Sequence, residues 1–396
     1  MKCLFCYDGP LEMDDNGKYY GTVINDKVFQ RYKKLADEII VAIRVVHTFK
    51  PDMKSLIKSN DVTIHRVQNI STLSGQIKKG NLKEELCELI RSVDFLIIRL
   101  PSFIGNECEK IAREMNKPYI VEMVGCPWDS LWNYSIKGKA IAPFMMFTTK
   151  KKLYNASHVI YVTNEFLQKR YPTKGKYVCC SNVEIADNTE LDEGKLERYK
   201  KILPGNTLVL GTSAAVDVPY KGHECVLKAI PELLKKGINV RYEMAGGGDQ
   251  TRLLDIIKKL GIEEYVVFKG LMAHEDIFKW LKQVDIYIQP SKQEGLPRAL
   301  IEAMNSTCFC LGAQTGGIPE LLSDELIFSN KRNNYLEIAS LIEKNLVRCT
   351  IVRKLIIKIL YNMVKVKFKK EEMAFWKNLK RRNYHKYEVQ NLFFII

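Results

Sequence analysis

No stretch of eighteen apolar residues occurs in this 396-residue chain, so no helix able to cross a bilayer is expected. The start, MKCLFCYDGP, offers only a few apolar residues before Asp8, too few for a secretory leader. The six histidines show neither H-x-x-x-H nor H-E-x-x-H spacing, which removes the common helical zinc arrangements. The eleven cysteines follow no even framework, and Cys179 and Cys180 are adjacent. A disulfide scaffold, a zinc ribbon and thioredoxin chemistry are therefore not expected, and reduced thiols of a cytoplasmic protein are. No internal repeat is visible, which excludes solenoids and propellers.

Acidic residues are scarce in one region only. The net charge is +15, and residues 331–386 hold sixteen Lys/Arg against four Glu, net +12. The remaining 340 residues are thus close to neutral. A basic surface spread over the whole chain would suggest a nucleic-acid binder; one basic C-terminal segment does not.

What is present is alternation. Strand patterns at Lys2–Tyr7, Glu38–Arg44, Asp61–Val67, Val93–Leu100, Pro118–Val124 and Ser157–Thr163 are separated by helical stretches such as Asn81–Arg91 and Gly105–Met115. After a polar stretch ending in Leu203-Pro204-Gly205-Asn206, a second series runs from Thr207–Ser213 to Thr307–Leu311. Alternation of this kind implies parallel sheets with right-handed crossovers. The expected fold class is α/β, with two doubly wound Rossmann-like domains. The expected boundaries are 1–190 for the N-terminal, acceptor-side domain, 191–205 for a linker, 206–345 for the second domain and 346–396 for a basic amphipathic segment. Two such domains would place a cleft outside the C-terminal ends of their strands.

The densest chemistry lies in SKQEGLPRALIEAMNSTCFCLGAQTGGIPELL. A strand pattern, Val284–Gln289, leads into a short loop and then to Pro297, which suits the first position of a helix. Strand, loop and helix N-terminus make an anion site, because free backbone N–H groups and the helix dipole face the loop. Gly295 and Leu296 would supply such N–H groups, and Arg298 lies in the same loop. Two carboxylates, Glu294 and Glu302, flank it with seven residues between them. Carboxylates accept hydrogen bonds from hydroxyls, so the ligand expected is a diphosphate between two polyols: a nucleotide sugar. Eight residues of helix rise about 12 Å, which favours two separate contacts over an acid–base pair on one bond. Lys221 follows a strand and a long loop, where a cation can neutralise a departing diphosphate.

This segment, with Gly316-Gly317-Ile318-Pro319-Glu320 after it and Lys221-Gly222-His223 before it, resembles retaining glycosyltransferases of the family 4 type, which have the GT-B fold. Tyr7-Asp8-Gly9-Pro10 and Gly17-Lys18-Tyr19-Tyr20-Gly21 extend the likeness to bacterial polysaccharide-assembly members. The resemblance implies that Glu294 hydrogen-bonds the transferred sugar, that Glu302 holds the ribose and that Lys221 stabilises the leaving diphosphate. It further implies donor contacts at Gly246, at Gly270 and Leu271, and at Gly316 and Gly317. Gly17, Tyr19, Tyr20 and Gly21 would form a flexible acceptor-side loop. The implied partners are a nucleotide sugar and a glycan or lipid-linked acceptor, with no cofactor. A D-x-D motif is absent, so a metal-independent site is expected.

The sequence departs from the family at two points. Ala214–Tyr220 holds no arginine about five residues before Lys221, so either another residue supplies the second cation or activity is weak. No histidine stands in Glu122–Asp129, where Asp129 or Glu122 is the available substitute. These departures keep open an inactive nucleotide-sugar binder, and an epimerase of the same fold is the other rival. Residues 351–370 alternate an apolar face (Val352, Ile356, Ile359, Met363, Val366) with lysines. That pattern suits either packing or an anionic membrane surface, and the expected location is cytoplasmic, peripheral on the inner face of the membrane.

Overall fold

The computed structural model describes residues 1–21, 24–49, 55–70, 80–133, 135–181, 206–331 and 333–347. The linker expected at 191–205 and the basic segment beyond Val347 lie outside the described residues. The described residues fall into two compact units: 1–128 with 143–181, and 129–142 with 206–347.

The first unit is built on β1 (Lys2–Met13), which is nearly all apolar at its start and buried there. Parallel strands flank it: β3 (Glu38–His47) on one side and β6 (Phe95–Leu100) on the other. Beyond these come β5 (Val62–Arg66), β7 (Tyr119–Met123), β8 (His158–Tyr161) and β9 (Lys176–Cys179), all parallel to their neighbours. All six residues of β6 are buried, as a strand covered on both faces requires. A short strand β2 (Tyr19–Gly21) returns antiparallel along β1, and β4 (Ser55–Leu56) pairs with β2. The helices of this part are α1 (Asp26–Tyr32), α2 (Leu82–Arg91), α3 (Phe103–Glu114) and α6 (Phe166–Arg170), while α4 (Pro127–Trp132) and α5 (Ile136–Asn155) are each divided between the two units.

Cys3-Leu4-Phe5-Cys6 has the C-x-x-C spacing, but it lies along β1 and not at a helix start. Both thiols are free and buried. Burial pushes the Cys3 thiol up to about 12 and the Cys6 thiol well up. Neither is poised as a thiolate, so the spacing carries no redox chemistry.

The second unit is a six-stranded sheet in the order β12-β11-β10-β13-β14-β15, parallel throughout. Its strands are β10 (Leu208–Ser213), β11 (Val240–Ala245), β12 (Val266–Gly270), β13 (Ile286–Gln289), β14 (Phe309–Ala313) and β15 (Ile327–Phe328). The helices are α7 (His223–Lys235), α8 (Thr251–Leu260), α9 (His274–Leu281), α10 (Arg298–Asn305) and α11 (Asn334–Val347). This is the doubly wound order, whose direction reverses between β10 and β13. Ligands of such sheets bind at that reversal, outside the strand C-termini. The loop 214–222 after β10 and the loop 290–297 after β13 are therefore the two that matter.

Candidate functional site

The reversal is held by a buried polar chain. In β13 the side chains of Tyr287 and Gln289 point the same way, two residues apart. The Ser213 N–H donates to the Tyr287 hydroxyl at 3.3 Å, and that hydroxyl donates to Gln289 Oε1 at 3.0 Å. Gln289 Nε2 then donates to Ser291 Oγ at 2.9 Å and to Glu294 Oε1 at 3.2 Å. Lys221 Nζ reaches the same oxygen from the other loop at 2.8 Å. Glu294 Oε1 thus takes two donors, while Oε2 takes none among the described residues. Lys221 and Glu294 are both only partly exposed, at 25 % and 12 %.

Two glycines let these loops meet. Gly222 has φ +79°, and a Cβ there would sit 2.0 Å from the Pro290 carbonyl oxygen. The Lys292 N–H closes the junction by donating to the Tyr220 carbonyl at 2.7 Å. Gly316 has φ +58°, and its Cβ would lie 2.1 Å from the Glu294 carbonyl oxygen. The Gly317 N–H donates to the Gly295 carbonyl at 2.7 Å. Only glycine satisfies both the left-handed backbone and the close approach. The N–H groups of Gly295 and Leu296 donate to nothing among the described residues, whereas the Leu296 side chain is buried. Pro297 is not the first helical residue as expected. It caps α10 in an extended conformation, φ −73° and ψ 108°, and the helix starts at Arg298. A proline cap leaves the N–H groups before it clear of the helix ladder.

Glu302, in the middle of α10, has a carboxylate with no hydrogen bond or ion pair among the described residues. Burial raises its pKa, against the opposing fields of His274 and Arg298. Burial also drives the Tyr287 phenol well up, and the fields of Glu302 and Glu294 add to this. The fields of both carboxylates thus act on the Tyr287 hydroxyl. Arg298 is exposed at the helix start and faces Glu302 electrostatically.

The remaining glycines sit on the same side of the sheet. A Cβ on Gly246 would be 1.9 Å from the Ala214 carbonyl oxygen, so the loops after β10 and β11 touch there. The Gly246 N–H donates to the carbonyl of Gly270, which has φ +70°. Leu271 is half-exposed beside them.

Sequence reasoning missed a cation cluster beside Lys221. Arg252 of α8 donates from Nη2 to the Val216 carbonyl at 3.4 Å and from Nη1 to Glu224 Oε2 at 3.4 Å. Lys292 Nζ donates to Glu224 Oε1 at 3.3 Å. One carboxylate thus serves two cations next to the 214–222 loop. Gln289 was missed too, although a polar residue ending a wholly buried strand was the signal available.

In the first unit, the hairpin of β1 and β2 replaces the flexible loop expected at 14–21. Its tip is tied by Asp14, whose carboxylate accepts from the Asn16 N–H at 3.0 Å, the Lys18 N–H at 2.9 Å and the Tyr20 hydroxyl at 2.9 Å. Gly17 takes φ +73° at the tip, and a Cβ at Gly21 would be 1.8 Å from the Ile24 carbonyl oxygen. Tyr19 is also engaged: Arg66 donates to its hydroxyl at 3.0 Å and lies over its ring. Asp8 of the Tyr7-Asp8-Gly9-Pro10 motif accepts from the N–H groups of Phe103 and Ile104 at the start of α3. Glu122 is no substitute for a catalytic histidine. It is buried between Arg99 (Nε, 2.7 Å), Arg31 (3.7 Å) and the Tyr32 hydroxyl (2.7 Å). Burial opposes its ionisation, yet Arg99 and Arg31 hold its pKa below the usual range. Asp129 stands in the first turn of α4, in the segment that groups with the second unit.

The sequence profile of the family "Glycosyl transferases group 1" matches residues 198–347. The chain is 31 % identical over 337 residues to Protein CapJ of Staphylococcus aureus, covering 84 % of this chain and 83 % of that protein. A shorter match, 29 % over 109 residues, spans 27 % of this chain and 24 % of the GPI3 subunit of phosphatidylinositol N-acetylglucosaminyltransferase of Saccharomyces cerevisiae. Among solved structures, HepE of Anabaena in complex with UDP superposes with a TM-score of 0.66 at 15 % identity, covering 96 % of this chain and all of that one. WaaG, a glycosyltransferase of lipopolysaccharide biosynthesis, superposes with a TM-score of 0.60 at 13 % identity over 94 % of this chain and 99 % of that one.

Proposed function

The chain belongs to the glycosyl transferases group 1 family with the GT-B fold, and on that premise we propose that it transfers a sugar, with retention and without a metal, from a nucleotide sugar to a glycan or lipid-linked glycan. The setting is surface polysaccharide synthesis in the cytoplasm, with the enzyme peripheral on the membrane. The observation that carries this reading is the half-occupied carboxylate of Glu294. One oxygen is fixed by Lys221 and Gln289, and the other is free to accept a sugar hydroxyl. A group held this rigidly is preorganised, so it loses little freedom when substrate arrives.

The unpaired Glu302 carboxylate suits the ribose diol, and the free N–H groups of Gly295 and Leu296 suit the phosphates. When the glycosidic bond breaks, negative charge grows on the diphosphate, and Lys221 lies where it can neutralise it. Arg252 and Lys292 take the part of the arginine missing from 214–220. The acceptor hydroxyl attacks the anomeric carbon from the face the diphosphate leaves, and its proton passes to a departing phosphate oxygen.

A thermal-shift panel of nucleotide sugars identifies the donor, because a ligand that binds only the folded state raises the melting temperature. Release of nucleoside diphosphate from that donor, with and without acceptor, then tests the reaction. Binding without any release would leave a nucleotide-sugar binder. Activity is expected to survive a chelator, and loss restored by added magnesium would overturn the metal-free reading.

A further inference from the structure

The polar chain at the sheet reversal has a direction, and that direction is set at its buried end. All of it lies in the second unit. Tyr287, Gln289 and Ser291 are each at most 2 % exposed, so bulk water is not their partner. A glutamine amide is nearly symmetric in shape, and its two ends differ only in what they can bond. A backbone N–H can only donate. The Ser213 N–H donates to the Tyr287 hydroxyl at 3.3 Å, which leaves the hydroxyl's own proton for Gln289 Oε1 at 3.0 Å. Burial keeps that proton in place, since it drives the Tyr287 phenol well up.

At the other end the Glu294 carboxylate can only accept, and its Oε1 lies 3.2 Å from Gln289 Nε2. Both ends therefore demand the same amide orientation. Turned over, the amide would set its carbonyl oxygen against the carboxylate. Lys221, 2.8 Å from the same oxygen, cannot fix the carboxylate by itself. An ammonium on a flexible stem has three rotatable donors and acts as a point charge. The amide adds the directional second bond.

We propose that Tyr287 and Gln289 are positioning residues of the transfer reaction: Tyr287 orients the Gln289 amide, and the amide holds Glu294 Oε1 so that Oε2 is the oxygen offered to the transferred sugar. Both are buried and act through Glu294. The proposal rests on the role given to Glu294 in the reading above.

Tyr287→Phe keeps the ring and removes the hydroxyl. Its kcat should fall by on the order of tenfold to a hundredfold. Nucleoside diphosphate, which has no sugar for Glu294 to hold, should bind in calorimetry as it does to the parental chain. A role confined to packing would instead lower the melting temperature and weaken both. Gln289→Glu puts a carboxyl where the amide was. Only its protonated form can donate to Glu294, and beside that carboxylate it should keep its proton to higher pH than a lone carboxyl. Lys221 opposes this and Glu302 adds to it; Tyr287 and Cys310 are the other titratable groups facing the chain. Turnover of Gln289→Glu should thus be nearest to parental at low pH and fall as pH rises, a fall absent from the parental profile. A third readout needs no transfer. The side-chain amide protons of Gln289, identified by magnetic resonance through their loss in Gln289→Glu, should exchange slowly in the parental chain and much faster in Tyr287→Phe.

The proposal falls if Tyr287→Phe transfers at the parental rate, if diphosphate binding falls with turnover, or if Gln289→Glu follows the parental pH profile. Equal amide exchange in the parental chain and Tyr287→Phe also overturns it. A parental chain that releases no diphosphate would overturn the reading above instead, and amide exchange would still decide whether Tyr287 orients Gln289.

Discussion

At the scale of single residues, the proposed reaction gives Glu294, Lys221 and Glu302 different work, and kinetics can separate them. Glu294→Gln keeps the shape but weakens the grip on the sugar hydroxyl and on Lys221. Turnover should collapse while the melting temperature holds; transfer at the parental rate would remove Glu294 from the mechanism. Lys221→Ala should cost on the order of 100- to 1,000-fold in kcat, about 2.7–4 kcal/mol, as removal of one preorganised donor does. A loss below tenfold would hand the task to Arg252 or Lys292. Glu302→Ala should act on binding, since a lost hydrogen bond to a charged group costs roughly 1.5–3 kcal/mol. Calorimetry should then show nucleoside diphosphate binding weakened by on the order of tenfold to a hundredfold. Gly316→Ala tests the support: its Cβ would meet the Glu294 carbonyl oxygen, and a left-handed backbone costs a non-glycine residue about 1–2 kcal/mol. Turnover should fall although no polar group is lost.

Elements show where pattern reading succeeds and where it does not. The second-unit strands were legible almost to their ends: the expected strand Thr207–Ser213 is Leu208–Ser213, and the expected strand Val284–Gln289 is Ile286–Gln289. Each strand is a short apolar run buried on both faces, and the second-unit helix α8 buries one face and stops at the left-handed Gly261, so each reads from local pattern. Helix α5 was not legible, because its two opposite faces are both partly apolar and their periodic signals cancel. The hairpin at 14–21 was read as a loop because the Asp14–Gly17 tip looks like any polar turn; the return of β2 along β1 is a long-range pairing. Asp14→Ala should raise amide exchange at residues 16–20 while barely moving the melting temperature, since the tip is exposed. Unchanged protection would mean that strand pairing alone holds the hairpin.

For the whole molecule, pH stability has an identifiable contributor. His223 is buried at the start of α7, with Nδ1 2.9 Å from the Tyr242 hydroxyl. Burial lowers its pKa from 6.5 to about 4, against the pull of the Ala214 and Ala215 carbonyls. A depressed folded-state pKa means the unfolded chain takes up the proton first. The stability is whole above pH 6.5 and is lost as pH falls towards the folded value. At 1.36 kcal/mol per unit, about 2 kcal/mol should disappear between pH 6.5 and 5. Denaturation curves at both pH values should show that loss in the native chain and much less in His223→Gln.

The sequence by itself determined the α/β class, the order of elements in the second unit, and the positions of Lys221, Glu294, Glu302 and the glycines between them. These follow from local rules: period, turn chemistry and the demand for a residue without Cβ. It could not determine which oxygen of Glu294 is spent, that Arg252 lies at the Val216 carbonyl, or that Glu122 is consumed by Arg99 and Arg31. Each of those depends on side chains from separate strands and helices meeting at hydrogen-bond distance. Nor could it tell the buried face of α5 from the exposed one, because burial is decided by what packs against a helix, and only the tertiary structure supplies that neighbour.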